Sequence, residues 1–551
     1  MTNAAIFMHP DAYDTASPQL FGRHAAGESF LRGFLRHATA EQLYFWHAGG
    51  ASIATLRAMV WRIEPTAKPV LWIPTRERGL LSKPGVLNLP GPNLDTEAWA
   101  RRPYGPTAYS ICGITHTTAT ARTMDTLSAF LLAPVEGHDA LICTSSAVRT
   151  SVEAQLDGVR DYIASEYGGP RLRAEPQRVT IPLGVNVDDF NTSPEHRRAW
   201  RERLDIPADA VVALYVGRFN TREKMNPALM ALALEKAAGQ TATPIYWVNS
   251  GWPSSEADDP SYHEAVRALC PSVHYRQVDG RPPDVRFSIW SVADFFISFS
   301  DNIQETFGLT PVEAMAAGLP CIVTDWDGYR DTVRHGEDGF RIPTTAPGPG
   351  NGHDIAYRRA NEWISYSDYV GSVAQFTAID YAAAVQAICA LADDPELRHR
   401  LGSQAQARAC EIFDWSAIIP QYEALWGELN ARRRAMPVQA PIPENPFRPD
   451  SFRIFAGYPT RHLDEGWRAA LTPGMTWPLA KALLSGPLAN YTDVNRPTLG
   501  ESEQIVAWLT DRPGASVAEI AQRFPAGRSP AIARGLLWIA RYGVMVLSPP
   551  G

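Results

Sequence analysis

The sequence predicts an α/β fold with parallel sheets in more than one domain, and three observations carry that expectation. Residues 293–324 read as an apolar strand (Ala293 to Ser300), a loop, a short helix ended by Gly318 and Pro320, and a second apolar strand (Cys321 to Thr324), which is a βαβ unit. The β-branched run Val211 to Val216 enters Gly217-Arg218 and then a helix starting at Asn226-Pro227 and stopping near Gly239, the same grammar again. At 551 residues the chain exceeds what one core organises, so two or three domains are expected.

Composition agrees with a soluble globular protein: 45% apolar and 20% charged residues. A formal charge of -8 argues against a broad nucleic-acid surface. Cys112, Cys143, Cys270, Cys321, Cys389 and Cys410 are scattered without metal-ligand spacing, and read as small buried hydrophobes in a reducing compartment. The N-terminus runs directly into strand-like Ala4 to Met8 without a basic region and cleavage site, so no secretory leader is expected. No apolar run approaches membrane-spanning length.

In chain order, Ala4 to Met8 is followed by a loop containing Gly22 and a helix whose Phe30, Leu31, Phe34 and Leu35 share one face. Gly22 is either a ligand-facing glycine loop or a plain turn. Two further strands follow, Tyr109 to Thr115 ending in His116, and Asp139 to Ser145. His116 reads either as a satisfied core histidine or as a ligand group at a strand end, where such groups gather in α/β sheets. In the second half, Arg218 and Lys224 lie between a strand end and a helix start. Either alone would read as a solvated surface charge, but together they form a cationic turn suited to an anion.

The most informative stretch is Glu305-Thr-Phe-Gly-Leu-Thr-Pro-Val-Glu313, two carboxylates eight positions apart. Thr310 is expected as N-cap with Pro311 at the first helical position, and Thr310-x-x-Glu313 then also reads as a capping box that leaves Glu313 purely structural. Glu305 has no such explanation, because a loop carboxylate gains nothing from packing. Gly308 permits close backbone approach, and the helix start offers N–H groups and a positive dipole end to an anion. Hydroxyl groups and phosphate together are the implied ligand chemistry. Asp325-Trp326-Asp327 invites a metal reading, against which Asp327-Gly328 reads as a turn after the strand.

From Glu305 through Phe307-Gly308-Leu309, Glu313-Ala-Met, Gly318-Leu-Pro and on to Gly328 and Val333, the chain resembles the E-x7-E signature of family 4 retaining glycosyltransferases. The resemblance implies the GT-B architecture, two Rossmann-like domains facing a cleft. It implies an N-terminal, acceptor-side domain over residues 1–190 and a donor-side domain over 191–410. A helix crosses back at 411–435. Residues 179–190 resemble the segment closing the first domain, which places the interdomain linker near 185–200. Residues 273–280 resemble the strand and loop bordering the nucleotide base. The implied donor is a nucleotide-diphosphate sugar, with no cofactor and no metal. Glu305 and His116 would stand at the donor sugar as catalytic groups, and Glu313 would hold the ribose. Arg218, Lys224 and the backbone of Thr306, Phe307, Gly308 and Leu309 would hold the diphosphate, with Gly22 on the glycine loop facing it. The residue after the first Glu, often Gly in that family, is Thr306 here.

Two regions depart from the resemblance. Between Arg341-Ile-Pro-Thr and the helix near Ala382 to Leu391 lies an extra stretch, 346–380, with Pro347-Gly-Pro-Gly-Asn-Gly and the aromatic run Trp363 to Tyr369. It reads either as an ordered lid or acceptor contact or as surface decoration. Residues 437–449 carry proline at five of thirteen positions, an extended linker within 436–450. The accessory domain 451–551 is expected to be small and mostly helical, winged-helix-like from about 501, with a Ser516-x-x-Glu519 capping box. Its near-balanced charges argue against nucleic acid and leave peptide docking, packing or homo-oligomerisation open.

The expectation is a retaining glycosyltransferase acting on an acceptor glycan, lipid-linked glycan, small molecule or polypeptide. The alternatives are a peptide or protein glycosyltransferase docking through the C-terminal module, the same fold running phosphorolysis or epimerisation, and a nonenzymatic scaffold. A cytoplasmic location follows from the cysteine usage, with peripheral contact at the inner membrane face left open by Arg432 to Arg434.

Overall fold

The computed structural model describes residues 3–14, 22–169, 174–253, 259–492 and 495–550, in two compact units, 1–443 and 444–551.

The first unit contains two parallel sheets. The strands of the first are β1 (Ala5–Met8), β2 (Leu43–His47), β3 (Val70–Ile73), β4 (Val86–Asn88), β5 (Ser110–Ile114), β6 (Ala140–Cys143) and β7 (Gln177–Thr180), in the order β3-β2-β1-β4-β5-β6-β7. The second comprises β8 (Val211–Val216), β9 (Ile245–Gly251), β10 (His274–Asp279), β11 (Phe295–Ser298), β12 (Cys321–Thr324) and β13 (Gly339–Ile342), ordered β10-β9-β8-β11-β12-β13. Every neighbouring pair in both sheets is parallel. The two Rossmann-like domains of the GT-B architecture are therefore present. Each sheet reverses direction once, between β1 and β4 and between β8 and β11, and such switch points are where open α/β sheets leave a crevice beyond the strand ends.

These strands form because their runs are apolar on both faces, as parallel strands covered by helices require: β6, β8, β11 and β12 are buried along almost their whole length. The first sheet depends on a buried ion pair behind β5 and β6. Arg101 and Asp139, both fully buried, meet through two N–H···O contacts of 2.6 and 2.8 Å, and the same carboxylate accepts the backbone N–H groups of Ile111 and Glu136 at 2.8 Å.

The helices needed below are α1 (Gly22–His37), α2 (Ser146–Tyr167), α3 (Leu309–Ala316), α4 (His353–Ala360), α5 (Tyr366–Ala374) and α6 (Trp415–Ala435). Helix α6 follows the second domain in sequence but packs on the first. The Trp415 indole donates to Ser29 at 2.8 Å, Glu423 accepts from the Thr39 N–H and hydroxyl at 2.7 and 2.9 Å, and a Cβ on Gly33 would lie 2.3 Å from the Trp415 ring. Both chain crossings between the domains run side by side. Val185 donates to the Phe413 carbonyl at 2.9 Å, Trp415 to the Val185 carbonyl at 3.2 Å, and the Asp414 carboxylate takes the Val187 N–H at 3.1 Å.

The helix after β11 begins differently from the sequence expectation. Gly308, at φ 81°, is its cap residue and Leu309 its first member, so Thr310 lies inside the helix and no Thr310–Glu313 capping box forms. The physical reason is a distant partner: the Thr310 hydroxyl acts on the buried Tyr329 phenol, which meets Ser298 at 3.0 Å.

The extra stretch is folded. Strands β14 (Thr344–Thr345) and β15 (Ala378–Ile379) pair antiparallel at its base, and α4 and α5 form its body.

The second unit has three short antiparallel strands, β16 (Arg468–Leu471), β17 (Ala515–Ser516) and β18 (Met545–Ser548), ordered β17-β16-β18. Around them lie α7 (Trp477–Ser485), α8 (Leu499–Asp511), α9 (Val517–Ala521) and α10 (Ser529–Arg541). The core is built from Ile505, Leu509, Ile520, Ile532, Leu536 and Ile539. The Ser516–Glu519 capping box forms as expected, and a second, Thr498–Glu501, starts α8. Strand β16 and helix α7 were not anticipated from the sequence.

Removing one partner of a buried ion pair leaves an uncompensated charge at a cost of about 3–5 kcal/mol. Asp139→Ala is therefore expected to lower the unfolding free energy by that amount, read as a lower denaturant midpoint at unchanged slope in equilibrium unfolding.

Candidate functional site

The loops that leave β8 and β11, the two strands flanking the second switch point, carry most of the sequence candidates. They are stitched together. Lys224 donates to Glu305 at 2.6 Å, and the fully buried Asn302 donates to the Arg222 carbonyl at 2.5 Å while accepting the Gln304 N–H at 2.9 Å. The backbone N–H groups of Thr306 and Gly308 also favour the charge on the Glu305 carboxylate. One carboxylate is thus stabilised by an ammonium and two N–H groups beside the start of α3.

The electrostatics follow from that arrangement. Burial works against the charge on Glu305, but Lys224 and the two N–H groups outweigh it and hold its carboxyl below the usual range. Burial likewise opposes the Lys224 charge, and Glu305 more than restores it. Arg218, whose guanidinium lies 3.4 Å from Glu223, is close enough to repel Lys224. Glu313 is pushed up by burial and pulled back by Arg286 and Lys224. It lines a pocket with Arg32, Asn186, Asp189, Arg286 and Leu309, drawn from both domains.

The first domain closes against this loop. The Thr306 hydroxyl donates to the His116 carbonyl at 3.2 Å, and the Thr144 hydroxyl to the Thr306 carbonyl at 3.4 Å. His116 itself lines a neighbouring recess with Tyr13, Phe30, Asn88, Trp415 and Tyr422, at the strand ends of the first switch point. The start of α2 receives two carboxylates from the second domain: Ser145 donates to Asp327 at 3.2 Å, and Ser146 gives its N–H and hydroxyl to Asp331 at 2.6 and 2.7 Å. Carboxylates at a helix N-terminus are favourably placed. Phe307 packs on Phe413 with ring centroids 6.0 Å apart, so it serves the loop as an anchor.

Glu305, Lys224, Arg218, Thr306, Gly308, Leu309, Glu313 and His116 are therefore brought to one cleft. Gly22 stands as the first residue of α1 rather than inside the loop, and residues 15–21, where the rest of that loop falls, lie outside the described residues.

Asp325 and Asp327 turn to different partners, Asp325 to Arg341 and Arg330 at 3.4 and 3.7 Å and Asp327 to Ser145. Among the described residues no group of three or more His, Cys, Asp or Glu converges in a way that could hold a metal ion, and no helix is long and apolar enough to cross a membrane.

Three groups were not singled out from the sequence as donor-site residues: Arg286, Glu223 and Asp327. Asp327 has a left-handed backbone, φ 42°, which for a non-glycine residue signals strain at a constrained site. Burial and the charge of Glu305 push its carboxyl up to about 8, against the pull of Ser145 and the Gly328 N–H. The Asp-Gly pair at 327–328 was the available signal, and it marks the turn without revealing the partner.

Residues 196–348 match the family described as "Glycosyl transferases group 1". The chain is 28% identical over 305 residues to the D-inositol 3-phosphate glycosyltransferase of Thermobispora bispora, covering 53% of this chain and 62% of that protein. It is 30% identical over 271 residues to the protein of the same name from Kineococcus radiotolerans, covering 48% and 54%. The chain thus spans little more than half the length of such relatives. Among solved structures, Alr3699/HepE of Anabaena, in complex with UDP, aligns at 16% identity over 77% of this chain and 99% of that one, with a TM-score of 0.49. Sucrose-phosphate synthase of Thermosynechococcus elongatus aligns at 17% identity over 78% and 100%, with a TM-score of 0.47.

An aspartate raised in the folded state costs stability as pH rises from its unfolded value near 4 to its folded value of about 8. The advantage of Asp327→Asn over the native protein in thermal unfolding is therefore expected to grow between about pH 4 and 8 and to level off above.

Proposed function

We propose that the chain is a retaining glycosyltransferase that moves a sugar from a nucleotide-diphosphate sugar to an acceptor hydroxyl. The observation that carries this is the pairing of Lys224 with the Glu305 carboxylate at the switch point, where the N–H groups of Thr306 and Gly308 also favour its charge, with Arg218 close enough to act on Lys224 and the His116 carbonyl held by Thr306. The matched group 1 segment spans all of these second-domain residues and Glu313, and relatives bear glycosyltransferase names.

In this reading the Glu305 carboxylate holds the anion seat until the donor arrives. The diphosphate then takes the N–H groups and the two cations, and Glu313 binds the ribose hydroxyls. As the bond between the anomeric carbon and the phosphate oxygen breaks, its electron pair leaves with the nucleoside diphosphate. Fixed cations and oriented N–H groups stabilise that charge without reorganising. The acceptor oxygen bonds the anomeric carbon on the same face, and its proton passes to the departing phosphate. Glu305 and His116 position the sugar and support the positive charge on the ring. The cations do the neutralising, so the reading includes no resident metal.

The C-terminal unit supports a second role within this reading. It folds around its own core and exposes Leu479 and Leu483 on α7 and Leu537 on α10. It would dock a protein or peptide acceptor or a second copy. Without turnover, the same surfaces would define a scaffold. The protein would work in the cytoplasm, with Arg432 to Arg434 able to meet an anionic membrane face.

Thermal unfolding with UDP, GDP, ADP and their sugar conjugates tests the reading: a nucleotide at a hundredfold its Kd should stabilise by about 2.7 kcal/mol, whereas no shift with any of them counts against it. Losing Arg218 to Ala should weaken the stabilising nucleotide about 10–100-fold, the worth of a charged hydrogen bond. Glu305→Gln should abolish transfer, read as sugar incorporated into acceptor by protein that still unfolds cooperatively; near-normal turnover would remove Glu305 from the mechanism.

A further inference from the structure

The recess that His116 lines, at the strand ends of the first switch point, is walled by aromatic rings. The Phe30 centroid stands 5.6 Å from that of Trp415 and 5.4 Å from that of Tyr422. Two polar ends in these walls are turned into the protein, the Tyr13 hydroxyl onto the Phe7 carbonyl and the Trp415 indole onto Ser29, each at 2.8 Å. Two others are not. Asn88, the last residue of β4, and Tyr422 on α6 are 5% and 2% exposed, and both line the recess. Neither side chain has a hydrogen-bond partner among the described residues, and neither polar end is sealed in the core as the Asn249 amide is. Both therefore open into the recess. An amide ending a strand whose Val86 and Leu87 are fully buried costs folding free energy unless something supplies its hydrogen bonds. The recess holds about 30 Å³, room for about two water-sized groups. Its described lining contains no Lys, Arg, Asp or Glu.

Resting on the transferase reading above, we propose that this recess selects the acceptor: it admits two neighbouring hydroxyls on the edge of an uncharged polyhydroxy ring, and Asn88 and Tyr422 are the specificity-determining residues. Three features favour that occupant. An amide and a phenol can each both donate and accept, which matches hydroxyl groups. A phosphate or carboxylate placed here would lose its water among aromatic walls and find no Lys or Arg in the described lining to replace it. The recess also shares His116 with the donor side, so a hydroxyl seated in it lies next to the residue assigned to the donor sugar. Water fills such space when no acceptor is bound, and a ring edge that returns the same hydrogen bonds displaces it at little loss. A ring without those hydroxyls leaves a buried amide or phenol unpaired, which is how a few polar groups discriminate strongly between substrates.

The test uses the full chain with the variants Asn88→Leu and Tyr422→Phe. Transfer from whichever UDP-, GDP- or ADP-sugar the native protein binds is measured to the methyl α-pyranosides of glucose, galactose and mannose and to myo-inositol. Glucuronate, glucose 6-phosphate and myo-inositol 1-phosphate serve as charged counterparts. At least one uncharged ring is expected to be used about tenfold better in kcat/KM than its charged counterpart. Each variant is expected to raise the KM for that ring about tenfold with a smaller change in kcat, the worth of one hydrogen bond, while the Kd of the nucleoside diphosphate holds. Tyr422→Phe should not lower Tm, because its hydroxyl bonds no described protein group. Preference for the charged rings, an unchanged KM in both variants, or a lowered Tm in Tyr422→Phe overturns the assignment. If no nucleotide binds the native protein, the transferase reading fails; if donor is cleaved but no ring on the panel is used, that reading stands. In either case saturation-transfer NMR with the uncharged rings decides. Binding to the native protein that is lost in Tyr422→Phe supports the site, whereas no binding, or equal binding to both, leaves ordered water as the only occupant and overturns it.

Discussion

The turn Glu305–Gly308 is the joint on which the rest of this structure depends. Its first residue holds Lys224, its second touches both His116 and Thr144 of the other domain, its third anchors on Phe413, and its fourth starts α3. The joint works because Gly308 takes φ 81° directly beneath Tyr329, where an added Cβ would lie 2.0 Å from the ring. A side chain there would have to move a buried tyrosine and strain the backbone together. The same turn sets the N–H groups of Thr306 and Gly308 where they favour the charge on the Glu305 carboxylate.

The two sheets give this joint its partners. In each sheet the switch between strands opens a crevice at the carboxyl ends, and the parallel run of residues 185–187 beside 413–415 brings the crevices face to face. Helix α6 then commits the end of the second domain to the core of the first, through Trp415, Tyr422 and Trp426. The contacts across the cleft are mostly hydroxyl to carbonyl or hydroxyl to carboxylate. Such bonds exchange readily with water and carry modest net energy, which suits a cleft that opens and closes.

Much of this was legible in the sequence, for physical reasons that differ by element. Strands β8, β11 and β12 show as continuous apolar runs because both faces are covered, and Gly239, Gly318 and Pro320 punctuate the helices between them. The Ser516–Glu519 box was readable because capping is local. The start of α3 was misjudged because Thr310-x-x-Glu313 carries the same local pattern, while the competing partner of Thr310 is Tyr329, nineteen positions on. Arg286 and Asp327 were not legible as donor-site residues. Their significance lies in groups on other elements, Glu313 for Arg286 and Ser145 for Asp327, and one sequence holds no record of such pairings. Strand β16 is four residues long and pairs only with distant segments, so no local periodicity marked it.

The central claim is that the seat now held by the Glu305 carboxylate is where the donor diphosphate binds. A crystal structure of the full chain with the nucleotide diphosphate that most stabilises it tests this most directly. The account predicts phosphate oxygens on Lys224, Arg218 and the N–H groups of residues 306–308, with the ribose on Glu313 and the Glu305 side chain withdrawn from the seat. A nucleotide bound elsewhere, with Glu305 still paired to Lys224, would contradict it.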